Sequence, residues 1–218
     1  MMGGYDDLLT RARAHHLDIF GAFHPDPDDL TPADTGTLVL LGPHEPGFWP
    51  AITAAPEFTD GAPDPVDRWS TRVVGTLADD LGATALFPFG GPPYQPFIRW
   101  AQRSGRAWVS PVDILVHDRA GLMVSYRGAL ALPERLDLPP LPKRPCDTCQ
   151  DKPCLTACPP RALTDRGYDI PRCHAYLSDA GQHSCMQGGC LVRRACPVSQ
   201  SYGRLPEQSA YHMGQFHI

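Results

Sequence analysis

All eight cysteines of the 218-residue chain fall between Cys146 and Cys196, and none precedes Cys146. That confinement limits the folds open to this chain more than any local propensity does. A segment so rich in thiols must either cross-link itself or gather them around something. The opening residues, MMGGYDDLLTRARAHHLDIF, show no basic region followed by an apolar one. No secretory signal is therefore expected, and the expected location is the cytoplasm. Thiols stay reduced there, which favours metal or redox chemistry over a disulfide framework.

The cysteines form two runs. The first is Cys146-x2-Cys149-x4-Cys154-x3-Cys158-Pro159. The second is Cys173, then Cys185-x4-Cys190-x5-Cys196-Pro197. Each quartet closes on Ala-Cys-Pro. A [4Fe–4S] cube takes four thiolates, so eight cysteines fit two cubes without remainder. Short loops between cysteines let thiolates converge on one small core, and the exposed amides of such loops can donate to sulfur. Two structural zinc sites would use eight cysteines equally well, but zinc ribbons pair one C-x2-C with another. This chain has a single C-x2-C. In bacterial two-cluster ferredoxins the cysteine before the proline ligates the other cluster. By that pattern Cys146, Cys149, Cys154 and Cys196 hold one cluster, and Cys158, Cys173, Cys185 and Cys190 hold the other. The spacings alone leave open two local quartets, each closed by its own Cys-Pro.

The 42% hydrophobic content is enough for a proper core, while 25 prolines favour turns and extended connections over long helices. The stretch LPERLDLPPLPKRP, residues 132–145, reads as an extended connection and marks a domain junction. The expected class is α+β: a mixed α/β domain over residues 1–138, then a small, loop-rich, partly helical ferredoxin-like module with two clusters over 139–218. Within the first part, 5–19 reads as an amphipathic helix through Leu8, Leu9, Ala12 and His16. Residues 37–41 (TLVLL) read as a buried strand, 67–81 as a helix stopped by Gly82, 84–87 as a strand and 96–104 as a helix. Residues 112–117 and 122–126 read as paired strands around a turn at 118–121. A net charge of −5 shows no broad basic face, so nucleic acid is not expected as a partner. No apolar run approaches the length of a membrane span.

At the cysteines the chain resembles a known family. The string Cys146-Asp-Thr-Cys149-Gln-Asp-Lys-Pro-Cys154-Leu-Thr-Ala-Cys158-Pro-Pro-Arg-Ala-Leu163 resembles the ferredoxin-like module of epoxyqueuosine reductase. So does Pro171-Arg-Cys-His-Ala-Tyr-Leu177, which matches that family's Arg-Cys-x-x-Tyr-Leu element. Upstream, Phe87-Pro-Phe-Gly90, the stretch from Ile98 to Trp108 and Ile114-Leu-Val116 follow the family's layout more loosely. The resemblance implies electron transfer from two [4Fe–4S] clusters to a cobalamin held by an N-terminal domain. Three departures stand against carrying over the whole activity. The chain is shorter and shows none of the family's C-terminal repeat region. The stretch 90–95, GGPPYQ, has no carboxylate where the family places its proton donor. The closing segment is C-x4-C-x5-C-P rather than C-x2-C-x3-C-P. The expectation is a diverged relative that transfers electrons to a redox partner protein, and an oxidoreductase in its own right if the N-terminal domain holds a cofactor.

Gly90 and Gly91 are candidates to line a cofactor pocket, where backbone can approach closely. Trp100 and Trp108 are candidates to frame a flat ring, although aromatic residues more often build cores. His183 is a candidate to hydrogen-bond a cluster sulfur, and Arg193 and Arg194 to offset cluster charge. His174, beside Cys173, lacks the C-x-x-C that a haem attachment would need.

Overall fold

A computed structural model describes residues 4–179 and 183–217. In chain order the elements are α1 (Tyr5–Ala14), β1 (Leu17–Phe23), β2 (Thr37–Pro43), α2 (Phe48–Thr53), α3 (Pro56–Thr59), α4 (Pro65–Leu81), β3 (Thr84–Leu86), α5 (Phe97–Arg103), β4 (Ala107–Val109), β5 (Leu115–His117) and β6 (Gly128–Leu132). After a connection without regular structure come β7 (Leu163–Thr164), β8 (Gly167–Tyr168), α6 (Ile170–Leu177), α7 (His183–Gly188), α8 (Leu191–Ala195), α9 (Pro197–Ser201) and α10 (Pro206–Phe216). The fold is α+β. Among the described residues no helix is long and apolar enough to cross a membrane.

The chain divides into two compact units: Met1–Arg106 with Ser125–Pro142, and Ala107–Val124 with Lys143–Ile218. Of the three crossings, the last, at 142/143, falls within the proline-rich stretch 132–145. The first two were not legible: residues 107–124 leave one unit and belong to the other.

The N-terminal unit is built on an antiparallel sheet of order β1-β2-β6-β3. Every residue of β2 and β6 is buried, so neither strand shows a polar alternation. Helix α4 buries Val66, Trp69, Val73, Val74, Leu77 and Leu81 at helical spacing. Gly82 ends it in the left-handed conformation at φ 61°, donating its N–H to Ala78 and Asp79 carbonyls. Any other residue there meets the steric penalty that glycine escapes.

The short turn Pro27–Asp29 is tied to α5 by a buried carboxylate. Asp29 is 1% exposed, and its oxygens accept from Arg103 Nε and Nη2 at 3.1–3.3 Å. Trp100 Nε1 donates to the Asp29 carbonyl at 2.7 Å. Burial pushes the Asp29 pKa up, but the Asp26 amide and the Arg103 guanidinium outweigh it and hold the carboxyl below its ordinary value.

Two strand readings need correction. Helix α1 stops at Ala14, not at 19, and His16 at φ 57° turns the chain into β1. Of the expected hairpin of 112–117 with 122–126 only the turn is closed, by a single antiparallel bridge between His117 and Gly121. Strand β5 pairs with β4 instead, Trp108 facing Val116. The backbone of Leu122 is used elsewhere: its N–H donates to Ser199 Oγ at 2.8 Å, and its carbonyl accepts from Arg193. Gly121 permits this approach, since a Cβ there would lie 2.5 Å from the Ser199 nitrogen.

Among its described residues the cysteine-bearing unit carries two small two-stranded sheets, β4-β5 and β7-β8. Its core joins Val112, Val116 and Leu122 of the inserted hairpin segment to Leu163, Val192, Cys154 and Cys196.

Two outcomes are expected. Asp29→Asn lowers the stability of the N-terminal unit by about 2 kcal/mol, the worth of hydrogen bonds to a charged group. Because the folded pKa is depressed, the ionised carboxylate contributes fully above the unfolded value of about 3.9, and that contribution is lost as pH falls through the lower folded value. Urea denaturation of both proteins should therefore show a gap at neutral pH that narrows in acid. A fragment of residues 139–218 lacks Val112, Val116 and Leu122, so it should remain unfolded, whereas 107–218, which keeps them, should give dispersed amide NMR signals.

Candidate metal centre

Proline sets the backbone around several of the cysteines. Pro145 opens the 3-10 turn Pro145–Asp147, which carries Cys146, and Pro153 opens Pro153–Leu155, which carries Cys154. Cys196 is the hinge between two short helices: it ends α8, and with φ −67° and ψ 123° it precedes Pro197, the first residue of α9. A proline has no N–H to continue α8 and disfavours a helical residue before it, so the chain breaks at the cysteine. Cys173 rides on α6, whose first turn is capped by Asp169 accepting from the Arg172 amide at 3.0 Å. Cys185 lies on α7 and Cys190 caps the start of α8.

Cys146, Cys149, Cys154 and Cys196 line one cavity of about 460 Å³. Its other walls include Val116, Leu122, Pro153, Pro197 and Val198. The structure thus brings Cys196 to the first three cysteines of the other run, more than forty positions back in the chain. Burial pushes the Cys146 thiol up, against the pull of Arg144, and Cys196 and Cys149 push it further. Burial likewise raises Cys154, followed by Cys146, Cys196 and Cys149.

The remaining four cysteines act on one another. Burial raises the Cys173 thiol; the Tyr168 hydroxyl opposes this, and Cys190 and Cys158 add to it. Burial raises Cys185 against a hydrogen bond from the Leu191 amide, with Cys190, Cys173 and Cys158 adding to the rise. In each of the four shifted cysteines the neighbouring thiols belong to its own set. Tyr168 Oη donates to Cys173 Sγ at 3.3 Å, and the Ala162 amide donates to Cys158 Sγ at 3.3 Å. These donors were missed in the sequence because nothing in the spacing of Tyr168 or Leu191 marks them.

All eight cysteines are free thiols. Among the described residues no group of three or more His, Cys, Asp or Glu side chains is gathered closely enough to hold a single metal ion.

The other candidates are scattered. Trp100 is 0% exposed, packed on Phe97 with its N–H taken by Asp29, and has no open face to offer a cofactor. Trp108 packs against the core of the cysteine unit, so the two tryptophans belong to different units. Gly91 lies under its own loop, where a Cβ would meet the Pro93 and Tyr94 backbone at 2.8 Å, while Gly90 adopts φ 83°. Arg193 is spent on the Leu122 carbonyl, and Arg194 lines a separate cavity of about 550 Å³ together with Arg204. The His183 side chain lies outside the described residues.

Comparison with protein-family models, with curated proteins and with solved structures found no match to this chain.

The thiolate is the reactive form of cysteine. In metal-free, reduced protein, Cys146, Cys154, Cys173 and Cys185 should therefore be alkylated more slowly than a free cysteine at about pH 8.5, catching up only as pH rises further. Peptide mapping by mass spectrometry after timed iodoacetamide exposure reads this site by site. Equal rates at all pH values would contradict the raised thiol pKa values.

Proposed function

We propose that the cysteine-bearing unit holds two [4Fe–4S] clusters and serves one-electron transfer. One observation carries the reading: the thiols sort into two sets of four, and each set takes its Cys-Pro cysteine from the other run. Cys146, Cys149, Cys154 and Cys196 would hold one cluster, and Cys158, Cys173, Cys185 and Cys190 the other. Bound there, each cube supplies a one-electron couple.

The surroundings suit such groups. Both donor sets consist entirely of sulfur, the ligand iron–sulfur cores use. A cavity of about 460 Å³ inside the first set leaves room for a polynuclear core, whereas a zinc ion draws its four sulfurs to about 2.3 Å. Raised thiol pKa values mean that loading displaces protons, so binding tightens as pH rises. The apolar side chains of Val116, Leu122 and Val198 line the first set, and the amides of Ala162 and Leu191 steady sulfurs of the second.

On this reading the chain is a short, diverged relative of epoxyqueuosine reductase that keeps the electron-handling module. The electrons leave to a partner protein, or to a substrate or cofactor on the N-terminal unit. The absence of a carboxylate in residues 90–95 argues against the reductase's own chemistry.

Anaerobically reconstituted protein should contain about eight irons and about eight acid-labile sulfides per chain. Two zincs and no sulfide would defeat the proposal. Cys196→Ala should lose the same half of the iron as Cys146→Ala. Loss instead of the half that Cys185→Ala removes would mean two local quartets.

A further inference from the structure

We infer that the two clusters differ in potential, the one held by Cys158, Cys173, Cys185 and Cys190 being easier to reduce, and that the Tyr168 hydroxyl is a positioning group that sets this difference. The inference rests on the cluster reading above and adds a direction to it.

Reduction adds negative charge to a core already wrapped in thiolates. Whatever donates hydrogen bonds to the ligating sulfurs stabilises that charge and raises the potential, and apolar surroundings lower it. The two sets differ in both respects. Three donors from three parts of the chain reach the second set: the Tyr168 hydroxyl to Cys173, the Ala162 amide to Cys158 and the Leu191 amide to Cys185. Among the described residues the first set receives one such contact, from the amide of Cys154 itself. Its cavity is walled largely by Val116, Leu122, Pro153, Pro197 and Val198, and Lys152 on the same wall is accompanied by the opposite charge of Asp151. The nearby cations do not reverse the contrast. Arg144 acts on Cys146 but has Asp147 at 4.0 Å, while Arg193 acts on the Tyr168 side of the other set.

Tyr168 is the one side chain among the three donors, and its place is fixed. Its ring stacks on Phe216 of α10 with centroids 6.0 Å apart and planes 17° apart. Phe216 in turn packs on His174, centroids 4.6 Å apart, and His217 meets His174 at 3.0 Å between the Nδ1 atoms. The end of α10 thus clamps the segment around Cys173 and holds the phenol on the sulfur. With the second cluster at higher potential, an electron delivered to either cluster settles on the second, which makes it the donor to whatever accepts electrons from this protein.

The test is an anaerobic redox titration of the iron-loaded full chain, followed by EPR. Two reduction waves are expected. Cys146→Ala should abolish the lower wave and keep the higher. Tyr168→Phe keeps the ring and its stacking, so iron content and unfolding midpoint should not change. It should lower the higher wave by about tenfold in equilibrium constant, which is about 59 mV for one electron, and leave the lower wave in place. A single wave, loss of the higher wave in Cys146→Ala, a Tyr168→Phe shift of the lower wave or no shift at all would overturn the inference. Zinc in place of iron and sulfide would strike the cluster reading itself, and the metal analysis shows that before any potential is measured.

Discussion

Buried thiols crowded against one another resist ionisation, and the cysteine-bearing unit is arranged around that constraint. Cys154 and Cys185 are each less than a tenth exposed. Their neighbours are other thiols, so every proton lost makes the next harder to lose. Four negative sulfurs in one apolar cavity are unstable without compensating cations, and that is the condition in which metal binding becomes folding energy. Elements as short as α8 and α9, each a single turn or slightly more, have little packing of their own. They hold their places because the chain between them delivers Cys196 to a cavity whose other thiols come from distant turns.

Proline is the backbone counterpart of this constraint. The excess of proline first suggested a chain short on long helices, and in the cysteine-bearing unit it has a more specific use. Pro145, Pro153, Pro171 and Pro197 each open a turn or helix that carries or follows a cysteine. A fixed φ aims the neighbouring sulfur without demanding a large apolar core to hold the loop.

Legibility in the sequence followed how local each signal was. Helix α4, with its Leu-Val-Trp spacing and its Gly82 stop, could be read directly because both are encoded within a few residues. So could the apolar run of β2 and the cysteine spacings. Strands β1 and β6 were missed because both are buried on both faces, so LDIFGAF and GALAL carry no alternation to betray them. The hairpin was misplaced because Leu122 looks like a strand residue, yet its backbone partners are Ser199 and Arg193, more than seventy positions away. Tyr168 was invisible because a phenol directed at a sulfur five residues along has no signature separate from an ordinary surface tyrosine.

The chain crosses between its two units three times, at residues 106, 124 and 142. On a ribosome this fixes an order of events. Strand β6, which completes the sheet of the first unit, precedes every cysteine in the chain, so that half can fold while translation continues. The loop carrying Val112, Val116 and Leu122 is already extruded by then, and its apolar side stays uncovered until residues 143–200 arrive to cover it. Until then the nascent protein is a finished domain with a sticky flap, which a chaperone would shield during that interval.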